Sequence, residues 1–157
     1  MSIIREFQKK DKKAVDNIFA IYWNDPEFLI ELSCELDFFV SATSQRESKF
    51  LIAEENEKIV GIAGTKKIPE YLKTYAKTEK PIELYVVAVK YKRKGIGQAL
   101  ESQITAEAKK SDYSEILLFS PNTHKESWNF YEKLGYKKAG EVTPPDDEKG
   151  QVWRKAL

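Results

Sequence analysis

Cysteine occurs once in this 157-residue chain, at Cys34, so no disulfide can close within it and no cysteine cluster offers a metal site. Histidine also occurs once, at His124, with no strand-to-helix nucleophile elbow beside it, so a Ser/His/Asp triad has no support. No apolar run approaches the ~18 residues of a membrane span, and no apolar signal region opens the sequence. The simple expectation is a cytoplasmic protein. A charge excess is missing too: 26 Lys+Arg against 25 Asp+Glu leave +1, with no global pull toward nucleic acid or an anionic membrane. Internal repeats and low-complexity stretches are absent. What is present, 41% hydrophobic and 12% aromatic residues with 32% charged, is the balance of one globular domain over 1–157 with a sizeable core.

The most informative stretch is Glu83 to Leu100. Its first part, Leu84-Tyr85-Val86-Val87-Ala88-Val89, is a β-branched and aromatic run of strand length. Its last part opens a helix, because Ile96, Leu100, Ile104 and Ala108 recur every four residues on one face. Between them lies the basic glycine turn Lys92-Arg93-Lys94-Gly95-Ile96-Gly97. Glycines there let a ligand approach the backbone, and free N–H groups at a helix start favour negative charge. The chemistry is that of a phosphate or pyrophosphate site. A Walker A loop is excluded, since no Gly-Lys-Ser/Thr follows at its spacing, and a dinucleotide fingerprint is excluded because Leu100 stands where its third glycine belongs. A tight structural turn with a solvated basic face remains the plain alternative.

The rest of the chain reads as alternating elements. A strand is expected over 2–7, then a helix capped by Asp11 with Val15, Ile18, Phe19 and Tyr22 as its apolar stripe. Asp25-Pro26 opens a second helix toward Val40, carrying Leu29, Leu32, Leu36, Phe39 and the aromatics Phe28 and Phe38, most of them expected in the core. A hairpin is expected from 49–54 and 59–66 around Glu55-Asn56-Glu57-Lys58, with Gly61 and Gly64 marking a close approach or a bulge. Residues 68–77 read as a short helix with Tyr71 and Tyr75 on one face, either surface packing or a lid. A buried parallel strand over 115–119 is followed by Thr123-His124-Lys125-Glu126, which has the form of a capping box, and a helix ending at Gly135. Strands over 136–142 and 151–157 complete an α+β fold, layered in the α/β manner: a mixed central sheet of about seven strands with helices on both faces.

Two segments together resemble the GNAT family of N-acetyltransferases. Lys92-Arg93-Lys94-Gly95-Ile96-Gly97 is similar to its acetyl-CoA loop, usually Gln/Arg-x-x-Gly-x-Gly/Ala. Ser127-Trp128-Asn129-Phe130-Tyr131-Glu132-Lys133-Leu134-Gly135-Tyr136 is similar to its second hallmark, usually Ala-x-x-Phe-Tyr-x-x-x-Gly-Phe. Order and separation match. Lys92, Ser127 and Tyr136 are mild departures.

The resemblance implies the acyl-CoA N-acyltransferase fold and acetyl-CoA as co-substrate, with an amine attacking the thioester directly in a ternary complex. It places the diphosphate on the N–H groups of Arg93, Lys94, Gly95, Ile96, Gly97 and Gln98, with Lys92 and Arg93 side chains in reach, and the pantetheine arm along the backbone of Tyr85, Val86 and Val87. Tyr131 stands at the family's acid, and Glu83 where many members carry a base. Thiols have a pKa of about 8.5 and tyrosine about 10, so a phenol can return a proton to the departing thiolate. A core tyrosine and a solvated strand-end carboxylate are the structural alternatives. His124 falls where relatives place a cofactor-contacting asparagine; Asn122 can take that contact, or His124 is a solvent-facing helix residue. No metal is implied. The expected partner is an amine-bearing acceptor that the sequence does not identify, with no nucleic acid and no membrane, and a homodimer is left open. Two other classes stay open: a CoA-binding module without catalysis, and a protein-interaction domain of the same fold.

Overall fold

The computed structural model describes residues 2–41 and 47–157. The chain runs β1 (Ile3–Glu6), α1 (Lys12–Tyr22), α2 (Pro26–Ser41), β2 (Lys49–Glu55), β3 (Lys58–Lys66), α3 (Glu70–Lys73), β4 (Pro81–Val89), α4 (Ile96–Lys110), β5 (Glu115–Pro121), α5 (Trp128–Lys133), β6 (Lys137–Val142) and β7 (Gly150–Ala156). The strands form a seven-stranded mixed sheet in the order β1-β2-β3-β4-β5-β7-β6, which is the expected architecture. β4 and β5 are parallel, paired Pro81↔Glu115, Ile82↔Ile116 and Glu83↔Leu117, and α4 supplies the crossover that parallel neighbours need. The chain divides into two compact units, Met1–Thr65 with Tyr85–Ile104 and Lys66–Leu84 with Thr105–Leu157.

In the first unit the core is Val15, Ile18 and Phe19 of α1 and Leu32, Leu36 and Phe39 of α2, packed on Phe50, Ile52, Ile62, Val86 and Ala88. Burying each large side chain of this kind stabilises by about 1.5–3 kcal/mol. The hairpin closes through Asn56 and Glu57 alone, with φ of 50° and 65°, because Glu55 and Lys58 already pair. It is tighter than the expected four-residue turn. Gly61 and Gly64 mark close approach: a Cβ on Gly61 would lie 2.9 Å from Leu100 of α4, and one on Gly64 would lie 2.3 Å from the Phe50 ring. A register shift lies beside Gly61 as well: Ala53 pairs with Gly61 but Glu54 with Ile59, which leaves Val60 as the extra residue. Since Gly61 and Ile62 point to opposite faces, α4 covers one side of the hairpin and α1 with α2 the other.

One expectation on these helices differs from the structure. Asp25 accepts the Glu27 N–H at 3.1 Å ahead of Pro26, as expected. Asp11 stands before α1 but makes no cap bond to it. Its carboxylate instead accepts from both Arg5 terminal nitrogens, at 2.8 and 2.9 Å, and from the Gln8 N–H at 2.8 Å. Asp11 is buried, and a buried carboxylate is held more strongly by a bidentate guanidinium than by a helix amide. On α2, Phe39 is core and Phe28 packs edge-on against Trp23, but Phe38 is 60% exposed.

In the second unit the sheet again has two covered faces. Leu117 and Val152 pack with Leu72, Tyr71 and Tyr75, while the adjacent Trp153 packs with Trp128 and Tyr131. The helix expected over 68–77 shrinks to the single turn of α3, too short for Tyr71 and Tyr75 to share its face. Tyr71 meets Phe119 edge-on, and Tyr75 crosses Gly140 and donates to the Glu141 carbonyl at 3.0 Å. The capping box at Thr123 is also absent. Residues Asn122–Ser127 form a 3-10 segment, kinked at His124, and α5 begins only at Trp128. The cause is a distant competitor: Glu148 accepts from the Thr123 hydroxyl and from the Thr123 N–H, the donor that Glu126 would take in a capping box. The far end of α5 is as expected. Gly135 is left-handed (φ +95°), with the Gly135 N–H on the Glu132 carbonyl and the Tyr136 N–H on the Tyr131 carbonyl, each at 3.1 Å.

Candidate donor loop and acid-base residues

β4 carries two burial regimes. Ile82, Glu83 and Leu84 are all buried, whereas from Tyr85 on burial alternates, with Val86 and Ala88 inside and Tyr85, Val87 and Val89 half-buried. In the first unit the strand's end is held from two sides. The Tyr22 hydroxyl donates to the Val89 carbonyl at 2.6 Å, and the Lys90 N–H donates to the Val60 carbonyl at 2.8 Å. Tyr85 packs with the Val86 and Ala88 cluster and donates its hydroxyl to Glu31 of α2.

The chain then turns through Lys92, Arg93 and Lys94, all exposed, into α4. Arg93 and Gly95 take left-handed backbone, with φ of 63° and 76°. A Cβ on Gly95 would meet nothing within 4 Å, so the glycine is there for its dihedral and leaves the loop's outer side open. The first loop bond back into the helix is Ala99 N–H to the Gly95 carbonyl at 3.0 Å. The N–H groups of Gly95, Ile96, Gly97 and Gln98 donate to no acceptor among the described residues. These are the four orphan donors of a helix start, aligned with the positive end of a 15-residue helix. Such a helix start favours an anionic group.

In the second unit, Glu83 is 9% exposed and lies opposite Leu117, which removes the reading of a strand-end charge in water. Tyr131 lies on α5, with the rings of Phe130, Tyr136 and Trp153 around it at 5.5, 6.0 and 6.2 Å. Burial among these rings pushes its phenol up to about 12. Asn122 is exposed and donates its N–H to the Lys149 carbonyl at 3.0 Å. His124 is half-buried at the kink, not in the first turn of a helix.

The structure thus brings Tyr85, Val86 and Val87 together with the 92–98 loop in one unit, and Glu83, Tyr131, Asn122 and His124 in the other. Sequence reasoning passed over Tyr22 except as core stripe, and gave no role to Trp153, whose buried indole N–H has no partner among the described residues. Neither carries a local signal: Tyr22 meets Val89 across 67 positions, and Trp153 lies in an ordinary buried run of β7.

Residues 14–136 match the sequence pattern of the Acetyltransferase (GNAT) family. The chain belongs to this family of acetyltransferases. Human N-acetyltransferase 8 is 30% identical over 107 residues, which are 67% of this chain and 45% of the relative. The chain therefore spans under half the length of that curated relative. Among solved structures, a GNAT-family protein from Desulfovibrio desulfuricans superposes with a TM-score of 0.82 at 16% identity, covering 99% of each chain. The PaiA N-acetyltransferase of Thermoplasma acidophilum, solved with coenzyme A, gives 0.72 at 19% identity, covering 100% of this chain and 99% of that one. At such identities these two likenesses speak for the fold. Among the described residues, no helix is long and apolar enough to cross a membrane.

Proposed function

We propose that this chain is an acetyl-CoA-dependent N-acetyltransferase acting on a primary amine within a ternary complex. The observation that carries the reading is the start of α4: four unspent N–H groups, open space beside Gly95, and three exposed cationic side chains immediately before them. Those amides hold the diphosphate of the CoA thioester, with Lys92 and Arg93 in reach. The backbone of Tyr85 to Val87 pairs with the pantetheine arm as an added strand would, and an N–H near Val87 faces the thioester oxygen as charge builds on it.

Glu83 takes the proton from the incoming ammonium, directly or through one water. Tyr131 serves the departing sulfur. With its pKa pushed up to about 12, the phenol stays protonated at every working pH. Complete transfer to a thiolate of pKa about 8.5 would then run uphill by roughly 5 kcal/mol. In that apolar nest Tyr131 acts chiefly as a hydrogen-bond donor to the sulfur; the thiolate takes its proton from solvent, to which Glu83 gives up the one it removed. Asn122 or His124 supplies a further contact to CoA. The chain works on its acceptor as a cytoplasmic protein, as one domain.

The test joins binding to turnover. CoA at a hundred times its dissociation constant should stabilise the protein by about 2.7 kcal/mol, raising its melting temperature by about 5–10 °C. Acetyl-CoA with a panel of amines should release free thiol, read by a thiol reagent. A melting temperature that CoA does not move would count against the donor site. Binding without thiol release on any amine would make the chain a CoA-binding module.

A further inference from the structure

We propose that Tyr22, at the last turn of α1, is a positioning residue for the donor loop, fixing the end of β4 through its hydroxyl and the Lys92 ammonium through its ring. The inference rests on the donor-site reading above. Two contacts converge on this one side chain. Its hydroxyl donates to the Val89 carbonyl at 2.6 Å, three residues ahead of Lys92. Its ring carries the Lys92 Nζ at 5.4 Å from the centroid. Trp23, at 5.8 Å, backs the ring, and the Trp23 ring is in turn set by Phe19 and Phe28. The platform is therefore tied to the core of its unit.

The physical need follows from Lys92 being exposed on a flexible four-carbon stem. A free ammonium of this kind loses rotamer freedom whenever it meets a phosphate. Resting on an aromatic face, it has given up part of that freedom before any anion arrives. The hydroxyl bond does the same for the backbone, since Val89 is the last strand residue before the chain turns. Burial pushes the Tyr22 phenol up, so it remains a donor across the working pH range.

Calorimetric titration with CoA tests the coupling in wild type, Tyr22→Phe and Tyr22→Leu, each with and without Lys92→Met. Lys92→Met should weaken CoA about fivefold in wild type and in Tyr22→Phe, where the ring face remains. In Tyr22→Leu the same change should cost less than about twofold. Tyr22→Phe alone should cost about threefold through the lost hydroxyl, with the KM for the acceptor unmoved. An equal factor for Lys92→Met in all three backgrounds overturns the proposal. If Tyr22→Leu does not fold, the wild type decides by proton NMR: upfield ring-current shifts of the Lys92 ε-methylene protons support the contact, and random-coil shifts overturn it. Wild type that binds no CoA defeats the donor-site reading itself, whatever the NMR shows of Lys92.

Discussion

The loops before and after β4 treat their backbone amides in opposite ways. Before β4, Lys77 and Thr78 donate their N–H groups to one oxygen of Glu115, each at 2.7 Å, and Lys80 donates to the Ser114 hydroxyl at 3.2 Å. The Ser114 N–H returns to the Lys80 carbonyl at 2.8 Å. Glu115 has no exposed surface, and its second oxygen takes the Arg154 Nε at 2.7 Å. After β4, the amides of Gly95 to Gln98 donate to no acceptor among the described residues. Both loops are short, polar and lysine-rich. The first spends its donors on a buried carboxylate and is structural. In the function proposed above, the second keeps them for a ligand.

Breaking either loop should therefore have separate consequences. Gly97→Trp places an indole over the amides at the start of α4 and should abolish CoA binding in calorimetry, while the melting temperature stays within a few degrees; retained affinity would refute the loop assignment. Glu115→Ala leaves Arg154 and the Lys77 and Thr78 amides without their partner. Removing one side of a buried pair costs about 3–5 kcal/mol, so the urea midpoint should drop sharply while the folded fraction keeps its CoA affinity. A small midpoint change would show that water replaces the carboxylate.

Tyr131→Phe sharpens the comparison from the catalytic side. Turnover should fall about a hundredfold with the CoA dissociation constant nearly unchanged, whereas equal losses in both would make the ring a packing element. pH separates the regions more gently. Burial alone would raise Glu115, but the Thr78 and Lys77 amides, the Thr78 hydroxyl and Arg154 outweigh it and hold it below its ordinary 4.5. A carboxylate depressed in the folded state gives its full stabilisation above 4.5 and loses it as pH falls toward the folded value, so acid unfolding should begin below 4.5 and flatten in Glu115→Gln. Tyr131, at about 12, should put no falling limb on the rate profile below pH ~11.

The parts of this molecule legible in its sequence are those set by local pattern. The β4 run, the glycine turn and the four-residue repeat of α4 need no distant partner to be recognised, and Gly135 announces the end of α5 by its own dihedral. What stayed hidden depends on residues far along the chain. Thr123 looks like the start of a capping box until Glu148 takes its N–H, and Asp11 looks like a cap until Arg5 takes its carboxylate. Tyr71 and Tyr75 fit a helix face by spacing, but Phe119 and the Glu141 carbonyl hold them individually once the helix stops after one turn. At the candidate site the loop was readable because its chemistry is backbone chemistry. The ring nest that lifts Tyr131 was not, since Trp153 reaches it from another strand.

Amide-resolved hydrogen exchange with and without CoA addresses the contrast most directly. In the free protein the amides of Lys77, Thr78 and Lys80 should exchange slowly and those of Gly95, Ile96, Gly97 and Gln98 fast. Saturating CoA should slow the second set and leave the first unchanged. Amides at 95–98 that are already protected without ligand, or that stay fast at saturation, would contradict the account.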